Sequence, residues 1–280
     1  MTGFPASAFW QALPAVALAI LAVLAVTYLA GRIVGKHSVI DTAWGLLFCA
    51  AAGTAFGVSG GHGELVRRVL LLSLTLVWGL RLAIRIGRRN HGKPEDPRYE
   101  RMLAGKSAGA VLALVYGLQG LLAFAIAMPL VVGSFTAGPV TPIGWLGVLA
   151  WLVGLFFEAV GDWQLDRYRA DPRRGEVLDH GLWRYTRHPN YFGDACVWVG
   201  IFLIAAERWP GVLTIFSPVI MVYLLAFGSG KPVLERSMAQ RPGYRAYMRR
   251  TSGFIPMTPR LHRALVRVPA GTDDDQPGRT

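Results

Sequence analysis

The sequence predicts an all-α integral membrane protein with about seven transmembrane helices. Hydrophobic residues make up 53% of the 280 positions and charged residues only 16%, whereas a soluble domain carries about 25% charged residues. Long apolar runs recur along the chain, each near the roughly 20 residues that a helix needs to cross the hydrocarbon core. Because the runs lack the alternation of a half-buried strand, helices are predicted and not a barrel.

Seven spans are predicted from the apolar runs. In chain order they are Phe9–Leu29, Val39–Val58, Val69–Ile86, Ala108–Val132, Ile143–Val160, Ala195–Ala206 and Val212–Phe227. We expect residues 1–257 to form one seven-helix domain. Residues 258–280 contain the stretch GTDDDQPGRT and lack an apolar face, so they are predicted to form a disordered cytoplasmic tail.

Basic residues concentrate in alternate loops, namely those after the first, third, fifth and seventh spans. The opposite loops carry only Arg67, Arg68 and Arg208. The positive-inside rule therefore places the N-terminus outside and the C-terminus in the cytoplasm, of an inner or plasma membrane in a bacterium. The net charge of +12 indicates contact with anionic lipid. Nucleic-acid binding is not predicted, because no nucleic-acid motif accompanies the charge.

Five ionisable residues fall within or beside the predicted spans, where charge is costly and is a sign of function. They are Asp41, Arg81, Glu158, Asp162 and Asp194. On the predicted topology all five lie near the cytoplasmic ends of their spans. We therefore expect a polar cavity that opens to the cytoplasm, with carboxylates partly paired by arginines.

Two segments predicted to be cytoplasmic contain most of the other polar residues that could bind a ligand. They are NHGKPEDPRY from Asn90 and GLWRYTRHPNYFGD from Gly181. Arginine suits phosphate, and Asn190 can both donate to and accept from a carboxamide or a ribose. No histidine pattern matches a metal site, and Cys49 and Cys196 lie in apolar runs, so no metal or disulfide is predicted. GSGKP at Gly228 lacks the first glycine and the Ser/Thr of a P-loop.

These segments, together with EAVGDWQLDRYR and ERSMAQRPGYRAYMRRTSGFIP, resemble domain-of-unknown-function membrane proteins related to the C-terminal domain of the steroid 5-alpha-reductases. The resemblance runs from about Asp41 to Pro256 and is strongest from Glu158 onward. It implies a seven-helix membrane reductase that holds NADPH within its helices and cytoplasmic loops, without a Rossmann fold.

The resemblance also implies a set of cofactor-binding residues, to which we add His188 from the same segment. The set is Asn90, Lys93, Asp162, Arg169, Tyr185, Arg187, His188, Asn190, Tyr191, Asp194, Lys231 and Glu235. Two positions depart from the animal steroid reductases. Asp41 is the nearest counterpart of their Gln-Glu pair and has no Gln before it, and Trp78 stands near the position of their catalytic tyrosine. A standard steroid substrate is therefore not predicted.

Reduction of an activated C=C bond needs a hydride, a polarised conjugated carbonyl and a proton. A carboxylic acid kept protonated by an apolar site can supply the proton, and the candidates are Asp41 and Glu158. The expected substrate is an apolar lipid, steroid-like, isoprenoid or fatty acyl, that enters sideways from the bilayer. No obligatory protein partner is inferred.

Two other functions stay open at this point. Membrane methyltransferases of the isoprenylcysteine or phospholipid type, which use S-adenosylmethionine, have a similar RHPxYxG loop, but their tail usually carries a Glu-Glu pair where this chain has Glu235 followed by Arg236. A transporter would be expected to show inverted repeats or helices broken by glycine or proline. Neither feature is recognised in the sequence.

Overall fold

The computed structural model describes residues 3–266, and its regular structure over that range is helical. The helices are α1 (Ala6–Val34), α2 (Val39–Val58), α3 (Leu65–Asn90), α4 (Pro97–Leu103), α5 (Ala108–Val111), α6 (Leu118–Ile126), α7 (Met128–Ser134), α8 (Pro142–Ala170), α9 (Pro189–Ala206), α10 (Phe216–Ala226), α11 (Lys231–Met238), α12 (Tyr244–Arg250) and α13 (Pro259–Val266). Within the described range, β-pairing is limited to an isolated parallel bridge between Thr186 and Ser252.

Within residues 3–266, seven helical segments are long and apolar enough to cross a membrane, which confirms the predicted fold class. They are Ala6–Val34, Val39–Val58, Leu65–Asn90, Ala108–Ser134, Pro142–Ala170, Pro189–Ala206 and Gly211–Met238. Most extend beyond the predicted spans by a turn or more, because a helix continues past the apolar run into the polar interface. The orientation of the termini stays a prediction.

The sixth segment begins at Pro189, well before the predicted start at Ala195. Proline is favoured in the first turn of a helix, where its missing N–H costs no hydrogen bond. The polar residues that hid this part of the helix in the sequence include Asp194, which is buried beside the equally buried Gly193. Hydropathy alone therefore placed the start of the helix too late.

Two of the seven segments are interrupted, which the sequence analysis did not predict. The fourth contains a π-helical stretch at Leu112–Gly117. The seventh breaks between α10 and α11, where a Cβ on Gly230 would lie 2.6 Å from the carbonyl oxygen of Leu225. Glycine is thus required at the break, because no side chain fits against that backbone.

The predicted disordered tail begins at residue 258, but Pro259–Val266 forms helix α13. The rest of that tail, residues 267–280, lies outside the described range. The described residues fold as two compact units. The first unit contains the described residues up to Leu152 together with Val197–Met221. The second contains Val153–Cys196 and the described residues from Val222 onward.

Helix α2 packs closely against α3 in the core of the first unit. A Cβ on Gly45 would lie 2.2 Å from the carbonyl oxygen of Gly79, so the two backbones meet without intervening side chains. Beside this crossing, the ring of Phe48 lies 5.7 Å from that of Trp78 and 4.5 Å from that of Trp198. The close approach aligns the residues that follow α3 with the N-terminus of α2.

A buried ion pair joins the start of α3 to the residue that follows α9. The side chains of Arg67 and Glu207 are both fully buried, and Nε of Arg67 donates to Glu207 at 2.9 Å. Arg67 also donates to the carbonyl oxygens of Thr136 at 2.8 Å and Gly138 at 3.0 Å. Glu207 accepts from the backbone N–H of Thr141 at 2.7 Å. Each charge is therefore satisfied by several partners, as a buried pair requires.

Candidate functional site

The first unit holds a phenol–carboxylate pair at the N-terminal end of α2. The hydroxyl of Tyr99 donates to Oδ1 of Asp41 at 2.6 Å, and Nη2 of Arg98 lies 3.2 Å from Oδ2 of Asp41. The side-chain amide of Gln119 donates to the Tyr99 oxygen at 3.4 Å. Asp41, a predicted catalytic residue, therefore accepts hydrogen bonds from a phenol and from a guanidinium at the same time.

Helix α4 presents Tyr99 because its start is well specified. Asp96 is the N-cap, and its side chain accepts from the N–H of Arg98 at 2.8 Å, while Pro97 opens the first turn. Both features favour a helix start at this point. Tyr99 is only 7% exposed. Burial raises the pKa of Tyr99, and the negative charge of Asp41 raises it further, so the phenol keeps its proton at neutral pH.

The carboxylate of Glu95 fastens the segment before α4 to the start of α2. It accepts from the backbone N–H of Ser38 at 3.1 Å and also from that of His37. Burial raises the pKa of Glu95, but these hydrogen bonds outweigh it and the net pKa lies below its ordinary value. Nearby, the ammonium of Lys36 donates to the carbonyl oxygen of Lys93. Hydrogen bonds therefore connect the start of α2, where Asp41 lies, to the segment that leads into α4, where Tyr99 lies.

The second unit holds a charge cluster centred on Glu235. Oε1 of Glu235 accepts from Nε of Arg187 at 2.8 Å and lies 3.1 Å from Nε2 of His188. Nζ of Lys231 lies 3.6 Å from Oε2. The His188 ring stacks on Tyr191 with an interplanar angle of 4°. Five of the predicted cofactor-binding residues, from two separate segments of the chain, are therefore brought together, and three of them contact the carboxylate of Glu235.

The guanidinium of Arg187 is mainly occupied by the protein itself. Besides Glu235, its Nη1 donates to the carbonyl oxygen of Met248 at 2.9 Å and to that of Thr251. The backbone N–H of Arg187 donates to the carbonyl oxygen of Ser252 at 2.9 Å. Arg187 therefore anchors the segment after α12, and only Nη2 is left to contact a ligand.

Helices α8 and α9 cross closely in the second unit, which buries the acidic residues of the predicted site. A Cβ on Gly193 would lie 2.5 Å from the carbonyl oxygen of Gly154 and 2.9 Å from Cβ of Glu158. Glu158 is 3% exposed. One turn further along α8, Asp162 is also buried, and its Oδ1 accepts from the amide of Asn190 at 3.5 Å. The crossing thus places Glu158 and Asp162 against the start of α9.

Of the remaining predicted residues, three are exposed, Asn90 is half-buried and Asp194 is buried. Lys93 and Arg169 are exposed, and Tyr185 is 40% exposed. Asn90, the last residue of α3, is half-buried and accepts from Nε of Arg89 at 3.3 Å. Their positions are compatible with contact to a soluble ligand, and their roles stay predictions.

The two predicted catalytic residues belong to different units, Asp41 to the first and Glu158 to the second. Sequence reasoning missed Tyr99, Glu95 and Gln119 as site residues. Tyr99 and Glu95 lie in the quoted segment NHGKPEDPRY, but nothing in its spacing indicates contact with α2. Among the described residues, no group of three or more His, Cys, Asp or Glu side chains is placed to hold a metal ion.

Seven apolar helices that carry buried polar clusters define an α-helical multi-pass membrane protein. Residues 27–251 match a family described as Protein of unknown function (DUF1295), and the chain belongs to that family. It is also similar to the steroid 5-alpha-reductase DET2 of Arabidopsis thaliana, with 29% identity over 68 residues, or 24% of this chain and 26% of that protein.

An uncharacterized protein of Schizosaccharomyces pombe is 29% identical over 97 residues, which is 34% of this chain and 28% of that protein. The chain thus spans little more than a quarter of the length of the curated relatives it matches. No solved structure matches.

Proposed function

We propose that this protein is an NADPH-dependent membrane reductase that reduces a C=C bond in an apolar lipid. The main structural support for this proposal is the 2.6 Å hydrogen bond between Tyr99 and Asp41. Reduction by hydride transfer needs a proton donor beside the substrate carbonyl or the α-carbon, and a buried, protonated phenol has that chemistry. The local similarity to a steroid 5-alpha-reductase supports the reductase class.

The residues of the second unit fit a phosphorylated dinucleotide. Lys231 and Nη2 of Arg187 offer positive charge, and the amide of Asn190 can donate to and accept from a carboxamide or a ribose. Asp162 can accept from a sugar hydroxyl. When bound, NADPH supplies the hydride; the protein residues orient it and exclude water.

The proton is assigned to Tyr99, with Asp41 as its partner. Asp41 positions the hydroxyl through the hydrogen bond that it accepts. Because a phenol carries a single proton, delivery requires the hydroxyl to turn from Asp41 to the substrate, which leaves a phenolate on Tyr99 until solvent returns a proton. Arg98, 3.2 Å from Asp41, balances the carboxylate charge as the proton is delivered. Glu158, buried against Gly193, is the alternative acid. In this assignment Tyr99 provides the phenolic proton. Trp78, which stands near the position of the catalytic tyrosine of the animal steroid reductases, has no phenol.

The substrate is proposed to be a lipid that enters from the bilayer. Large apolar side chains such as Leu21, Leu121 and Phe156 are more than half exposed, as expected for helix faces that contact acyl chains. We propose that the site faces the cytoplasm, where NADPH is found, because the basic loops flank it. No nucleic acid and no obligatory protein partner enter this proposal.

Isotope transfer from the cofactor to a lipid tests the proposal. The purified protein is incubated with membrane lipid extract and NADPH that carries deuterium at its transferable position, and the lipids are analysed by mass spectrometry. A reductase produces a saturated product that has gained one deuterium and one solvent proton. If the wild-type protein transfers no deuterium to any steroid, isoprenoid or fatty acyl enone, the proposal is contradicted.

A further inference from the structure

The backbone of Gly253 lies against the ends of two cationic side chains of the second unit. A Cβ at this position would lie 2.7 Å from Cε of Lys231, 3.0 Å from Nη2 of Arg187 and 3.3 Å from Nζ of Lys231. The atoms that crowd this position are the ends of two long side chains. The absence of a side chain at Gly253 therefore leaves both cationic groups room to converge on one point.

The side chains around Gly253 carry an excess of positive charge. Lys231 and Arg187 are two cations, and Glu235 is the carboxylate that contacts both. Burial lowers the pKa of His188, and Glu235 offsets this only in part, so His188 is neutral at pH 7 and one positive charge is left over. Nη2 of Arg187 makes no hydrogen bond to any described residue, although the side chain is only 8% exposed.

The backbone around the cluster is also suited to an anion. Helix α11 begins at Lys231, directly after the turn Gly228-Ser229-Gly230, and its N-cap Gly230 provides no side-chain hydrogen bond. The first turn of a helix offers unpaired N–H groups and the positive end of the helix dipole. A lysine in that turn is unfavourable for the helix dipole, and its partner Glu235 is shared with Arg187.

We propose that Lys231, Nη2 of Arg187 and the backbone at Gly253 form an oxyanion site that binds a phosphate group. Two cations that converge from different segments recognise the tetrahedral oxygens of a phosphate. The phosphate belongs either to a soluble dinucleotide or to an anionic phospholipid headgroup. With NADPH as its source the inference rests on the proposed function, whereas with a lipid source it goes beyond it.

The substitution Gly253→Ala adds a methyl group at the point where the two cationic side chains converge and leaves every charge in place. The three nearest atoms belong to side chains; the end of Lys231 can move aside, whereas Arg187 is held by Glu235, Met248 and Thr251. The unfolding midpoint without ligand therefore checks that the variant is folded. Gly175→Ala is the matched control in the same unit, because a Cβ there meets nothing within 4 Å. Lys231→Gln is a second variant that removes one of the cations without adding volume.

The probes are pyrophosphate, NADPH, and reconstitution into phosphatidylcholine with or without phosphatidylglycerol, each read by the thermal unfolding midpoint. If the phosphate comes from a soluble ligand, pyrophosphate and NADPH raise the unfolding midpoint of the wild type and of Gly175→Ala. Gly253→Ala and Lys231→Gln then need about a tenfold higher concentration of either ligand for the same rise in midpoint. For a lipid source, phosphatidylglycerol stabilises the wild type and Gly175→Ala but not the other two variants.

The oxyanion site is overturned if the folded wild type responds to none of the probes, or if Gly253→Ala and Lys231→Gln respond as the wild type does. Its failure is distinguishable from failure of the proposed function. An NADPH response that both variants retain removes only the oxyanion site. A pyrophosphate or phosphatidylglycerol response that both variants lose, without any response to NADPH, supports the site and removes the reductase.

Discussion

The hydroxyl of Tyr99 and the carboxylate of Asp41 are joined by a 2.6 Å hydrogen bond across 58 residues of sequence. Asp41 lies in the first turn of α2 and Tyr99 in the short helix α4. Two intramembrane or near-membrane polar groups are thus satisfied by each other at the margin of an apolar bundle. Ionisable groups in or near a membrane are energetically costly, and their presence is a sign of function.

Tyr99→Phe is expected to lower turnover by about 100-fold or more, the usual contribution of a positioned general acid. The phenyl ring fills the same volume, so NADPH affinity and the unfolding midpoint change little. The measurement is steady-state turnover in the deuterium-transfer assay, with affinity from a thermal-shift titration. Tyr223→Phe is the control, because Tyr223 is 60% exposed. Unchanged turnover in Tyr99→Phe excludes the phenol as the proton donor.

Gly45→Ala is expected to destabilise the first unit, by about 1–3 kcal/mol for overpacking. The added Cβ would lie 2.2 Å from the carbonyl oxygen of Gly79, and backbone cannot move aside as a side-chain end can. Gly53→Ala in the same helix meets nothing within 4 Å and should be neutral or stabilising by about 0.5–1 kcal/mol. Thermal unfolding in detergent compares the two variants; equal midpoints would show that α2 and α3 do not touch at Gly45.

Glu207→Ala is expected to cost about 3–5 kcal/mol, because it leaves the guanidinium of Arg67 buried without its carboxylate. Both side chains are fully buried in the structure. Arg208→Ala is the neighbouring control, since the side chain of Arg208 makes one hydrogen bond to the residues that the structure describes, at 3.3 Å to the carbonyl oxygen of Pro139. Denaturant titration measures both variants. A loss for Glu207→Ala no larger than for Arg208→Ala contradicts the buried pair.

Stability is expected to fall as the pH drops below about 6.5, in part because of His188. Burial lowers the pKa of His188 from the model-peptide value of 6.5, against the partial opposing effect of Glu235. The unfolded chain therefore binds this proton more readily, and the stability present above pH 6.5 is lost as the pH falls through the folded-state pKa. His188→Gln should flatten the pH dependence of the unfolding midpoint between pH 7.5 and about pH 5. An identical slope in the variant and the wild type would show that His188 does not titrate in this way.

The membrane helices were predictable because hydropathy is a local property of the sequence. The second span, Val39–Val58, was predicted with the bounds that the structure shows. The start of α9 was not, because its first two turns contain Pro189, Asn190 and Asp194, which lower the local hydropathy although the segment is helical. The breaks within the fourth and seventh segments depend on how the backbone packs, as at Gly230 against Leu225, and hydropathy does not report packing.

The candidate site was predictable as a set of residue types and not as an arrangement. The segment around Arg187 was recognised, but its partner Glu235 lies 48 residues away and no spacing rule links them. For the same reason the sequence presented Arg187 as a phosphate ligand, whereas most of its guanidinium holds the segment after α12. Arg187→Ala is therefore expected to disturb the fold and is a poor probe of cofactor binding.

Cofactor binding by the purified, detergent-solubilised protein tests the central claim most directly. NADPH, NADH and S-adenosylmethionine are titrated separately, and the thermal unfolding midpoint is recorded, because a ligand that binds only the folded state must raise it. A reductase is stabilised by NADPH at lower concentrations than by NADH, and Asn190→Ala weakens that response. Stabilisation by S-adenosylmethionine alone would contradict the reductase and favour a membrane methyltransferase.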